Sequence, residues 1–135
     1  MITGGPTDKA MCEYLHHALS VHGEPGSVRY TQLSIEEFAA VPGYCEVVVT
    51  GDSFGFHLAL AHQRPCVLLL GPSNGAEVIP KHATTVAALR STFACSPCAH
   101  QVACGGVGGC MDTIHPDQAL EEVEKSLSQN NVCSP

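Results

Sequence analysis

The chain has 135 residues, enough for one ordinary domain, and its 44% hydrophobic and 14% charged residues supply a core without the signature of disorder. A formal charge of −7, with the six Lys and Arg scattered, leaves nothing to neutralise a row of phosphates and argues against a nucleic-acid binder. The longest apolar run is about five or six residues against the roughly 20 of a membrane helix, and Met1 leads straight into Ile-Thr-Gly-Gly-Pro, without a secretory-leader pattern.

Taken in chain order, residues 2–5 (ITGG) read as the tail of a strand ending in a glycine turn. Residues 7–21 carry Ala10, Met11, Tyr14, Leu15, Ala18 and Leu19 in a helical stripe, and Gly23 stands where a helix-ending glycine belongs. VRYTQL (28–33) reads as a strand. Ser34 and Glu37 have capping-box spacing, so a short helix is expected over 34–38. CEVVVT (45–50) and CVLLL (66–70) are strands without polar alternation, as expected when both faces are covered. Between them 53–62 reads as a nearly all-apolar helix; TTVAAL (84–89) is a further candidate strand, and Pro116 and Asp117 open a last helix with Ala119, Leu120, Val123 and Leu127 on one face.

Strand and helix alternating at this spacing imply an α/β fold: a Rossmann-like parallel sheet with flanking helices and right-handed crossovers. The reading is a single domain over 1–135, with a cysteine-rich segment at 94–115 and a C-terminal helix at 116–128. The chain opens at the end of its first strand, so residues are expected before Met1, and a sheet edge left incomplete invites pairing into a homodimer.

In an open parallel sheet, ligands bind beyond the carboxyl ends of the strands. GDSFGFH (51–57) sits at such an end. Asp52 or Ser53 can cap the following helix, whose first N–H groups would face a bound anion; Gly55 permits close approach, and His57 shares a helix face with Ser53. Asp52 would repel a phosphate, so it suits a cap or a sugar hydroxyl. Gly71 and Ser73, in the GPSN loop (71–74), lie at the same edge, and Gly4 and Gly5 end a third strand. On spacing alone, ligand binding and plain helix capping stay equally open.

The run VVVTGDSFGFHLALAHQRPCVLLLGPSNGAEVIP, with Asp52, Ser53, His57, Ala59, Ala61, Pro65, Gly71, Pro72 and Ser73, resembles the C-terminal half of family 9 glycosyltransferases, the heptosyltransferase family. The later CSPC…C…CMDTIHPDQALEEV also resembles the cysteine-bearing tail of many members. The likeness covers nearly the whole chain. One departure is Phe54, where the common family form has glycine directly after Asp-Ser/Thr; here the glycine comes one residue later, at Gly55. The resemblance implies a GT-B architecture whose C-terminal half binds a nucleotide sugar, an ADP-heptose-like donor, for an inverting transfer in lipopolysaccharide biosynthesis. It also implies that the general base lies in an N-terminal domain. No catalytic residue is therefore assigned here, and the chain is expected to bind a donor but not to transfer sugar without that domain.

Eight cysteines is a high number for this length. Cys95-x2-Cys98, Cys104 and Cys110 place four thiols in sixteen residues, with glycines between them, and C-x2-C brings two sulfurs within reach of one tetrahedral ion. Zinc and an iron–sulfur cluster suit four sulfurs equally, His100 could replace one cysteine, and disulfides or free thiols are the competing readings. A cysteine-rich segment in a regular α/β domain fits a reducing, cytoplasmic compartment. Cys12, Cys45 and Cys66 read as small core residues, Cys133 as part of a frayed tail, and the remaining histidines as surface or cap residues. The alternative function is a non-catalytic metal-binding α/β module with a degenerate nucleotide pocket; a third is a nucleotide-sugar epimerase-like relative, again half of an enzyme.

Overall fold

The computed structural model describes residues 1–24, 26–98, 104 and 109–130; His100 and Cys133 lie outside them. The chain gathers into two compact units, Met1–Ala40 and Val41–Pro135.

In the first unit a 3-10 turn, Pro6–Asp8, leads into helix α1, Lys9–His22. Gly23 ends it by donating its N–H to the Leu19 carbonyl (3.0 Å). The strands expected at 2–5 and 28–33 shrink to one parallel bridge, Ile2 with Tyr30, held by Ile2 N to Arg29 O (2.7 Å) and Thr31 N to Ile2 O (3.3 Å). After Thr3 come Gly4, Gly5 and Pro6; two glycines have no side chain to pack and proline has no N–H to donate, so the ladder stops there. The apolar stripe of α1 is also less buried than its periodicity suggests: Met11 and Tyr14 are 61% and 68% exposed, and Cys12 is the buried residue. The capping box forms as read. Ser34 N donates to Glu37 Oε2 (2.8 Å), Glu37 N donates to Ser34 Oγ (3.2 Å), and α2 runs Ile35–Ala40.

The second unit carries the sheet. Strands β1 (Val48–Gly51), β2 (Cys66–Leu70) and β3 (Val86–Arg90) are all parallel in the order β1-β2-β3. Helix α3 (Phe54–Ala61) crosses from β1 to β2, the short α4 (Gly75–Val78) follows β2, and α5 (Pro116–Asn130) closes the unit. α3 packs on β1 and β2, and α5 on β2 and β3. The fold is α/β with a parallel sheet and flanking helices, as the alternation of elements implied. Among the described residues no helix is long and apolar enough to cross a membrane.

The core follows from the period-2 geometry of β2. Cys66, Leu68 and Leu70 point to one face and pack with Phe56 and Ala59 of α3; Val67 points to the other and is equally buried. Buried leucine or phenylalanine side chains stabilise by roughly 1.5–3 kcal/mol each. α3 is apolar around its circumference because Phe56 and Ala59 face the sheet while Leu58 and Leu60 are half-buried.

Two predictions follow from this core. Leu68→Ala is expected to cost about 2–5 kcal/mol in urea unfolding, whereas Val49→Ala, half-exposed on β1, is expected to change stability by about 0.5 kcal/mol or less. Burial pushes the Cys66 thiol up to about 11. At pH 8 it is therefore almost wholly protonated, and iodoacetamide with peptide mapping is expected to label Cys66 only after unfolding, while exposed Cys95 reacts in the native protein.

Candidate functional site

Three parallel strands end together. Gly51 of β1 is in register with Leu69 of β2, and Leu70 with Arg90 of β3. Neighbouring strands lie about 4.8 Å apart. The loop carrying Asp52 and Ser53 therefore stands beside the 71–74 loop, with Arg90 at the end of the next strand, all at the carboxyl edge of the sheet.

Ser53 occupies the position before α3 with extended backbone (φ −155°, ψ 176°), but its side chain does not cap the helix. Its Oγ lies 3.0 Å from Thr50 Oγ1 instead. The hydroxyl two residues before the loop competes successfully with the helix N–H groups, which corrects the capping role read from sequence. Asp52 is exposed, and its carboxylate makes no hydrogen bond or ion pair among the described residues. Gly55 is buried in the first turn, and the exposed His57 ring rests against Phe56 with 5.3 Å between centroids. At the start of α3 thus lie a serine whose side chain does not cap it, the exposed Asp52 carboxylate and the exposed His57 imidazole.

The second loop is built differently. A Cβ on Gly71 would lie 2.8 Å from Met111 Sδ and 2.9 Å from Cys110 Sγ, and the Gly71 carbonyl accepts from Ser96 Oγ (2.6 Å). Gly71 is a glycine because the cysteine segment presses on it, a reason the sequence does not display. Ser73 is half-buried and makes no hydrogen bond among the described residues. Asn74 caps α4, its Oδ1 accepting from Ala76 N (3.1 Å) while its Nδ2 donates to Glu77 (2.8 Å). A Cβ on Gly75 would lie 2.8 Å from both terminal nitrogens of Arg90, so the guanidinium lies directly over this glycine. Arg90 is exposed, and its guanidinium makes no hydrogen bond or ion pair among the described residues. Sequence reading missed it; the signal was a basic residue closing an otherwise apolar strand.

Gly4 and Gly5 belong to the first unit. Gly5 N donates to Asp8 Oδ2 (2.9 Å), and a Cβ on Gly4 would meet Asp8 Cβ and Cys12 Sγ at 2.9 Å. Both glycines thus serve the start of α1.

Cys95, Cys98, Cys104 and Cys110 all line one cavity of about 640 Å³ with Phe93 and Met111. The cavity abuts Gly71 and Pro72. Among the described residues no group of three or more His, Cys, Asp or Glu is arranged to hold a metal ion, so the ligand set read from sequence at Cys95, Cys98, Cys104 and Cys110 is not assembled. Of the other cysteines, Cys12 and Cys66 are buried, as read, while Cys45 is half-buried and directs its Sγ to the Val41 carbonyl (3.4 Å). His115 acts at the start of α5, its Nδ1 accepting from Asp117 N (3.3 Å).

Comparison with known proteins gives this arrangement a lineage. Lipooligosaccharide heptosyltransferase 2 from two serotypes of Campylobacter jejuni is similar: 19% identical over 121 residues, covering 90% of this chain, and 18% over 128 residues, covering 95%. The chain spans 38% and 40% of the length of these curated relatives. The solved structure of E. coli ADP-heptose LPS heptosyltransferase II has the same fold over 96% of this chain and 36% of its own, with a TM-score of 0.69 at 24% identity. The family model for glycosyltransferase family 9 (heptosyltransferase) matches residues 21–105, which include β1, β2, β3 and both loops at their carboxyl edge. The chain belongs to glycosyltransferase family 9, the heptosyltransferase family.

Proposed function

We propose that this chain is the nucleotide-sugar donor-binding part of an inverting glycosyltransferase, with a donor of the ADP-heptose type. The observation that carries the reading is the juxtaposition, inside the segment matched by the family, of the Asp52-Ser53 loop, the 71–74 loop and Arg90 along one carboxyl edge. Diphosphate needs N–H donors and positive charge; the positive end of α3, His57 and the Arg90 guanidinium, unpaired among the described residues, supply both. With a net charge of −7, an exposed arginine without an acidic partner among the described residues favours an anionic ligand at this edge. Asp52, whose carboxylate also has no partner among the described residues, is suited to accept from a sugar hydroxyl rather than to face phosphate.

The same groups stabilise the diphosphate as it departs with the bonding electrons of the anomeric C–O bond, because negative charge grows there. What this set lacks is a base positioned to take the acceptor's proton. The resemblance puts that carboxylate in an N-terminal domain, and this chain spans about two fifths of its curated relatives' length. The reading is therefore binding without transfer by this chain alone.

Titration calorimetry with ADP, UDP and GDP tests it. Saturable binding of ADP is expected, loosened several-fold by His57→Ala and by about tenfold by Arg90→Ala, as for loss of a neutral and a charge-assisted hydrogen bond respectively. Absence of saturable binding by all three nucleotides, or binding indifferent to both substitutions, overturns the assignment. Sugar transfer from a nucleotide donor by the isolated chain would overturn only the claim that a further domain is required.

A further inference from the structure

We infer that Thr50 is a positioning residue: its hydroxyl draws the Ser53 side chain away from α3 and so leaves the Gly55 N–H open to a phosphate oxygen of the donor. The inference rests on the donor-binding reading and adds to it a residue of β1 that acts through another. It starts from a mismatch. Ser53 stands at the position before α3 with extended backbone, where a serine ordinarily accepts from the second or third helical N–H, yet its side chain makes no capping bond.

Counting protons explains the mismatch. The Thr50 hydroxyl has one proton, which it donates to the Gly51 carbonyl (3.2 Å). In the 3.0 Å contact between the two hydroxyls Thr50 must then accept, so Ser53 is the donor. Donation runs from Ser53 to Thr50 to Gly51, out of the loop and into the end of β1. The sheet holds Thr50 where it can do this. Thr50 is half-buried and in parallel register with Leu68 of β2. By the period of a strand it shares a face with Val48, which packs against the cluster that contains Phe56 of α3. Thr50 thus stands on the side of the sheet that α3 covers.

The Ser53 hydroxyl leaves one particular donor without an acceptor. The third helical N–H, that of Phe56, is already taken, donating to the Ser53 carbonyl (3.1 Å). The second, that of Gly55, has no acceptor among the described residues. Gly55 is buried, and an N–H left without an acceptor in a buried turn costs stability. A phosphate oxygen satisfies such a donor, and glycine has no side chain to stand between the two. A serine already capping the turn would have to be displaced first. Threonine suits the position on both counts: its branched carbon fits a strand, and its hydroxyl supplies the acceptor that valine lacks.

The test uses the whole chain, isotopically labelled for NMR amide exchange, with ADP as the probe. In the wild type the Gly55 amide is expected to exchange with solvent faster without ADP than with saturating ADP. Thr50→Val keeps the shape of the side chain and removes the hydroxyl. It is expected to release Ser53 onto the helix, slow Gly55 exchange about tenfold without ligand and weaken ADP binding about tenfold, the size of one hydrogen bond. Thr50→Ser is expected to retain wild-type values of both, which a packing role for the threonine methyl would not allow. In Thr50→Val/Ser53→Ala no hydroxyl remains to cap, so Gly55 exchange is expected to return to the wild-type rate. ADP binding or Gly55 exchange that Thr50→Val leaves unchanged overturns the role of Thr50 alone. A Gly55 amide already as protected in the unliganded wild type as with ADP overturns it without any variant. Absence of saturable ADP binding by the wild type overturns the donor-binding reading and the phosphate role with it, while the exchange rates of the unliganded chain still decide whether Thr50 holds Ser53 off the helix.

Discussion

Burial of β2 on both faces is the constraint from which the second unit is built. Cys66, Leu68 and Leu70 are covered by α3 on one side, and Val67 is covered on the other, so the strand can sit only in the middle of its sheet. A strand in that position must pair on both edges, and β1 and β3 do so in parallel register. Parallel pairing in turn sends all three strand ends to one edge. The loops that carry Asp52, Ser53, Gly71 and Ser73, and the side chain of Arg90, share that edge because the chain buries a five-residue apolar strand.

Gly71 is the point where two chemistries meet. Its backbone begins the loop beside the Asp52-Ser53 turn, and its vacant Cβ direction is filled by Cys110 and Met111. Its carbonyl is held by Ser96, from within the C-x2-C pair. The cysteine segment therefore touches this residue through a hydrogen bond and a close sulfur contact. The carboxyl edge of the sheet and the cysteine segment thus meet at one residue.

Much of the fold was legible because its causes are local. An apolar run bounded by turns is a buried strand whatever surrounds it, which is why residues 66–70 were read to their ends. Ser34 and Glu37 cap each other across a single turn, and their spacing alone identifies the motif. The first unit was read less well. Residues 2–5 and 28–33 have strand-like composition, but a ladder needs a partner along its whole length, and Gly4, Gly5 and Pro6 take that away after one bridge. The stripe on α1 shows the same limit: periodicity names a face, and Met11 and Tyr14 on that face nevertheless stand exposed.

By itself, then, the sequence determined the alternation of elements, the parallel sheet, the buried strands and the family to which the loops belong. All of these depend on neighbours within a few positions or on a motif that stays contiguous. Tertiary structure alone decided that Ser53 turns to Thr50 rather than to the helix, that Gly71 makes room for sulfur, and that Arg90 lies over Gly75 without an acidic partner among the described residues. It also decided that Cys95, Cys98, Cys104 and Cys110 border one cavity. The physical reason is reach: Ser96 and Gly71 are 25 residues apart in the chain, and contacts of that span depend on how strands register and helices pack, which no local pattern encodes.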